Sequence, residues 1–200
     1  MTDKKARVRF AAHFPAPQLS AAFTDGAYHA GATEPWVQRV VESLLLANGG
    51  DTVIELGTYK GHTSAVLCLA LERLGGGTFI GAELREDWAQ EARALLKVLT
   101  LPSVQWQIVV GKSVDVVNAQ SNDSIDFAWI DSDHNIPYLK QELTALQPKL
   151  RNEAIVTGHD VTGTWALAPA FIEAGGIALN FPWIHAGGGL GILQAPYAVL

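Results

Sequence analysis

Residues Val53-Ile54-Glu55-Leu56-Gly57-Thr58-Tyr59-Lys60-Gly61 hold this 200-residue chain to a narrow set of folds. A short apolar run ends in an acid, a glycine turn follows, and Gly61 opens an apolar segment of helical length at residues 62–74. A second apolar run ends in Gly81-Ala82-Glu83, so carboxylates close two successive strand-like runs. Strand, glycine turn, helix, then a strand with a terminal acid is how a parallel sheet builds a pocket for an adenosine-bearing ligand. An ordinary strand–turn–helix followed by a surface glutamate would carry the same residue types. It is their occurrence together that points to a site.

The rest of the chain continues the alternation. Strand-like runs at 52–56, 77–82, 104–109, 125–130 and 154–157 are separated by segments of helical length at 62–74, 86–99, 113–119 and 136–150. Near-continuous Val/Ile/Leu strands between helices predict a parallel sheet covered on both faces. Runs at 177–181 and 190–194 can add edge strands. A first helix is expected from Pro35, with Thr33 as cap and Trp36, Val37, Val40, Val41, Leu44 and Leu45 at helical spacing, stopped by Asn48-Gly49-Gly50. Residues 1–33 lack periodicity and read as an arm or lid, and residues 34–200 read as a single domain. At 48% hydrophobic and 17% charged, the chain can bury a sizeable core.

A formal net charge of −6 and the lack of a basic run argue against a nucleic acid partner. The single cysteine, Cys68, sits among Val66, Leu67, Leu69 and Ala70, which fits a buried apolar thiol in a reducing compartment. No apolar stretch has the length of a membrane span, and residues 1–9 lack a signal-peptide pattern, so a soluble, cytoplasmic protein is expected.

A dinucleotide site usually carries Gly-x-Gly-x-x-Gly, because a pyrophosphate must approach the backbone. Here the turn runs Gly57-Thr58-Tyr59-Lys60-Gly61, with a bulky Tyr59. A ligand with an adenosine at one end and an amino acid at the other needs less room. Its carboxylate suits a helix N-terminus and its ammonium suits Glu55, while Glu83 is placed to accept from both ribose hydroxyls.

With these residues the chain resembles the class I S-adenosylmethionine-dependent methyltransferases, over roughly residues 34 to 195. Within them it is most similar to stand-alone small-molecule O-methyltransferases of the macrocin/sugar type. The resemblance is carried by residues 54–64 and Gly81-Ala82-Glu83, by Gly111-Lys112-Ser113, by residues 125–134, and by Gly158-His159-Asp160. It implies an α/β fold: a Rossmann-like, seven-stranded, mostly parallel sheet with helices on both faces and a short N-terminal lid. It implies Glu55, Gly57, Thr58, Tyr59 and Gly61 at the methionine end, Glu83 on the ribose and Lys112-Ser113 bordering the adenine. Ser113 is equally suited to cap the following helix, and the two roles are compatible.

Adjacent parallel strands ending at Asp131 and at Gly158-His159-Asp160 put two carboxylates on one rim, beside the place of the sulfonium. Asp131 and Asp160 suit a divalent ion such as Mg²⁺, which would lower the pKa of a substrate hydroxyl. His134, three residues after Asp131, is placed to take that hydroxyl proton as general base, and Asp131, which also borders the cofactor, would share in handling the proton with or without a metal. His159 could be a third metal ligand or a second acid/base. Asp133 and Asn135 are suited to cap the helix that follows.

The N-terminal Tyr28-His29 and Trp165 are candidates to close over the site. Trp88, Trp106 and Trp183 read as packing; His13, His62 and His185 read as surface or core residues; residues 185–192 resemble a glycine-rich entry to the last strand. The expected activity is methyl transfer from S-adenosylmethionine to a hydroxyl of a small molecule. Two rivals share the same features: a nicotinamide-dependent oxidoreductase, disfavoured by the missing middle glycine, and a non-catalytic cofactor-binding protein. No feature encodes the acceptor or the oligomeric state, though a lid of this kind often packs against a second copy.

Overall fold

Each of the first five strands is joined to the next by a helix that must cross a sheet face, and the seven strands, numbered along the chain, lie in one sheet in the order 3-2-1-4-5-7-6. The computed structural model describes residues 33–180 and 188–198. The proposed arm with Tyr28-His29, and His13, Phe181, Trp183 and His185, lie outside these residues.

The elements are α1 (Pro35–Asn48), β1 (Thr52–Leu56), α2 (His62–Arg73), β2 (Gly77–Glu83), α3 (Glu86–Val98), β3 (Val104–Val110) and α4 (Ser113–Asn118), then β4 (Ile125–Ile130), α5 (Ile136–Leu146), β5 (Leu150–Gly158), α6 (Ala168–Glu173), β6 (Ile177–Leu179) and β7 (Leu190–Gln194). Strands β1 to β5 pair in parallel, and β7 runs antiparallel to both β5 and β6. The strand order reverses between β1 and β4, which opens a crevice at their carboxyl ends.

Alternation along the strands feeds two cores. Ile54, Leu56, Ala128 and Ile130 face one side with α4, α5 and α6. Val53, Phe79, Phe127 and Trp129 face the other with α1, α2 and α3. Helix α1 buries Val37, Val41 and Leu45, four residues apart, and stops at Gly49, whose φ of 71° terminates the helix in the left-handed region.

Three local expectations are corrected. Thr33 does not cap α1: Glu34 holds the cap position without a side-chain bond, and the Thr33 hydroxyl donates to Asp131 Oδ2 at 3.1 Å. The helix expected over 136–150 ends at Leu146, followed by a 3₁₀ turn containing Pro148, and β5 begins at Leu150. Polar Arg151-Asn152-Glu153 disguise that strand, and Glu153 sits at φ 65° beside a register shift against β4. Helix α6, too short to show a period, gives no signal.

Among the described residues no helix is long and apolar enough to cross a membrane.

Candidate active site

The crevice is built from strand ends. Gly57 turns out of β1 at φ 89°, and a Cβ there would stand 2.2 Å from the Asp131 carbonyl oxygen, so the β4 loop can approach only a glycine. Glu55, just before it on β1, is completely buried. Its Oε2 accepts the Ser64 hydroxyl, and its Oε1 is buried with no hydrogen-bond partner among the described residues. Burial, reinforced by the charges of Asp131 and Glu83 and only partly offset by Ser64, holds its pKa well above the carboxylate range. A buried acceptor left open is costly unless a donor arrives. The cavity it lines is completed by Thr33, Thr58, Tyr59, Thr63 and Asp131.

The bulk of Tyr59 is directed away from the turn: its ring stands edge-on to Trp88 of α3, with centroids 4.7 Å apart. Its N–H donates to Glu83 Oε2 at 2.8 Å, and the Arg85 N–H donates to Glu83 Oε1 at 3.0 Å. The Glu83 carboxylate is therefore fixed at the end of β2 with lone pairs to spare. Gly61, at φ 88°, presents the start of α2 to the same cavity.

Beyond Glu83, its carbonyl oxygen accepts from Gly111 N–H at 2.9 Å. Lys112 is exposed at the cap position of α4. Capping by Ser113 is not observed: its hydroxyl donates to Glu142 on α5 and lies 3.0 Å from the Tyr138 hydroxyl. Asn135 does cap α5, its Oδ1 accepting from Tyr138 N–H at 2.8 Å.

Asp131, His134, His159 and Asp160 converge at the rim. Asp160, at φ 54°, holds a left-handed conformation rare for an aspartate, and Gly188 packs so closely that a Cβ there would lie 2.1 Å from Asp160 Oδ1. His134 Nε2 is 3.0 Å from Asp160 Oδ2 and 3.6 Å from Asp131 Oδ1. These two carboxylates outweigh its partial burial and push its pKa up to about 9. Trp165, 50% exposed, covers its ring at a centroid distance of 4.8 Å.

His159 lies deeper. Its Nδ1 faces Asp131 Oδ1 at 3.4 Å and Asp160 Oδ1 at 3.6 Å, and its Nε2 meets Glu34 Oε2 at 2.5 Å. Burial opposes the charged ring, but the charge of Asp131 and the bonds with Asp131, Asp160 and Glu34 prevail and push its pKa up to about 12. Both nitrogens face carboxylates in this arrangement. Set among these carboxylates, the ring favours its protonated form beside Asp131. The same histidines hold Asp131, despite its burial, below the usual carboxylate range, and Asp160 far below it.

Glu34 and Glu142 escape the sequence reading. Glu34 Oε1 also accepts from Gly188 N–H at 2.6 Å, so one side chain ties the start of α1 to the ends of β5 and the loop before β7. No local pattern marks a glutamate whose partners are 125 and 154 residues away.

For a divalent ion, Asp131, His134 and Asp160 each offer one ligand atom, and those atoms lie within 4.8 Å of one another. Two carboxylates and an imidazole fit a hard or borderline cation.

The sequence profile of a family described as "Methyltransferase domain" matches residues 54–161, from within β1 to just past the end of β5, which include the carboxyl ends of strands β1 to β5. The chain belongs to this methyltransferase family. Its fold recurs in solved methyltransferases at low identity. An O-methyltransferase from Bacillus cereus in complex with SAH is 15% identical, with 97% of this chain and 92% of that chain covered and a TM-score of 0.65. A methyltransferase from Geobacter sulfurreducens is 16% identical, with 100% and 98% covered and a TM-score of 0.69. The O-methyltransferase TomG from Streptomyces achromogenes, involved in tomaymycin synthesis and in complex with SAM, is 17% identical, with 93% and 87% covered and a TM-score of 0.65. No curated protein sequence matches the chain. Membership of the methyltransferase family removes the nicotinamide oxidoreductase reading.

Proposed function

We propose that the protein transfers a methyl group from S-adenosylmethionine to a hydroxyl oxygen of a small molecule. The observation that carries this reading is Glu55 Oε1, a fully buried oxygen without a partner among the described residues, on a side chain that lines a cavity at the end of β1. An ammonium group completes it. The backbone at the N-terminus of α2 favours the adjoining carboxylate, and Glu83, pinned by two backbone amides, receives the ribose hydroxyls.

S-adenosylmethionine supplies an electrophilic methyl group on its sulfonium. The protein contributes position and proton handling, and orientation is the larger part of such catalysis. Asp131, held by Thr33 and facing His159, stands between the donor cavity and the rim. His134, at the mouth of the cluster, would take the acceptor's proton at Nδ1 in its neutral form, with its Nε2–H donating to Asp160 Oδ2 and orienting the ring. Trp165 shields that face from water. Asp131 and Asp160 would hold a divalent ion such as Mg²⁺, which would lower the pKa of the bound hydroxyl and leave His134 to take the proton.

Calorimetric titration with S-adenosylmethionine and S-adenosylhomocysteine, in Mg²⁺ and again in EDTA, tests the reading. Micromolar binding of both is expected, on the usual scale for such ligands. Absence of binding by either defeats it, and a change in EDTA brings in the metal. His134→Ala should abolish turnover while leaving S-adenosylhomocysteine affinity nearly intact; a protein that only binds the cofactor has no turnover to lose.

A further inference from the structure

Glu142 lies on the buried face of α5 beside Leu139, Leu143 and Leu146, yet it is an acid with no exposed surface. Its Oε1 accepts from two hydroxyls at once: Ser113, the first residue of α4, and Ser132, after β4, at 2.5 Å. We propose that Glu142 sets the base specificity of the methyl-donor pocket, by committing the Ser113 proton inward so that this hydroxyl offers only an acceptor to the purine edge. The inference rests on the donor reading above. With the methionine end at Glu55 and the ribose at Glu83, the base falls beyond Glu83. There Gly111 N–H bonds the Glu83 carbonyl and leads directly into Ser113.

A serine hydroxyl has one proton and two lone pairs. With the proton given to Glu142, the 3.0 Å contact with Tyr138 must be donated by the tyrosine, which uses one lone pair. A single acceptor site remains. An exocyclic amine at position 6 of the purine satisfies it, whereas a 6-oxo group meets it lone pair against lone pair. Ser132 has given its proton to the same oxygen, so it offers no donor to rescue the oxo form. Glu142 is thus a positioning residue: it acts through the hydroxyls it orients.

The test compares S-adenosylhomocysteine with S-inosylhomocysteine by calorimetry, on the wild-type protein and on Glu142→Met, which keeps the volume but removes the acceptor. The wild type should favour the adenosyl ligand by about tenfold or more, as sites built around a hydrogen bond do. In Glu142→Met the Ser113 proton is released to face the base, and the preference should narrow by about threefold or more. Ser113→Ala, which leaves Ser132 on the buried carboxylate, should narrow it similarly, and it serves should the first variant not fold. A loss of affinity for both ligands with the preference unchanged overturns the proposal, as does a wild type that does not discriminate. Absence of binding of either ligand to the wild type would instead remove the donor reading, and this inference with it.

Discussion

Glu142 also leaves a thermodynamic mark of its own. Burial, only partly offset by the hydroxyls of Ser113 and Ser132 and aided by the charges of Asp133 and Asp131, raises its pKa from 4.5 to about 7. An acid whose folded pKa lies above its unfolded one holds its proton more tightly when folded. Its contribution is complete below pH 4.5 and is lost as the pH rises through about 7. Between those limits the wild type should lose on the order of 3 kcal/mol relative to Glu142→Met, whose side chain does not titrate. Thermal unfolding of both proteins at a series of pH values checks this. The difference in Tm should shift in favour of the variant as the pH rises from about 5 to about 8, and a difference that stays flat within about 1 °C would show that Glu142 is not held protonated.

At the scale of elements, the junction of β1 with α2 carries a tight geometric constraint. Gly61 takes φ +88°, and a Cβ on it would lie 2.8 Å from Ala92 Cα and 2.9 Å from its Cβ, both on α3. Gly61→Ala therefore combines a left-handed penalty with a clash between two helices. Together these should cost about 2–4 kcal/mol in denaturant unfolding. The displaced N-terminus of α2 should also weaken S-adenosylhomocysteine by about tenfold or more. Gly75, at φ +93° with nothing within 4 Å of where a Cβ would stand, is the control: Gly75→Ala should cost about 1–2 kcal/mol and leave binding unchanged. Equal effects on binding from the two substitutions would mean that the α2–α3 contact does not position the site. The junction was legible in the sequence because its constraints are local: an apolar strand, glycines where φ is positive, and an apolar helix follow one another. The same logic made β1 to β4 readable. It failed at Leu150–Gly158, where polar residues at an irregular pairing concealed half of a strand, and at α6, where six residues give no period.

The whole molecule meets at Glu34. Asp131, His134 and Asp160 could be picked out because each closes or follows a readable strand. Glu34 and Glu142 could not, since their partners come from elsewhere in the fold and only packing brings them in. Glu34 is 3% exposed, its charge faces the His159 imidazolium, and its other oxygen accepts from Gly188. Burial works against both charges, so the pair persists only because each compensates the other, and removing one partner strands the other. Glu34→Gln should therefore destabilise the protein by about 3 kcal/mol and lower Tm by about 6–12 °C for a chain of this size. His159→Asn should cost a similar amount, because it leaves Glu34 and Asp131 facing each other's charge without the ring between them. The double variant should cost much less than the sum, with a coupling energy of about 1–3 kcal/mol, since the second substitution removes a charge the first had already orphaned. Additive losses in that cycle would mean that Glu34 stabilises α1 alone and that the site does not depend on closing the chain between α1, β5 and β7.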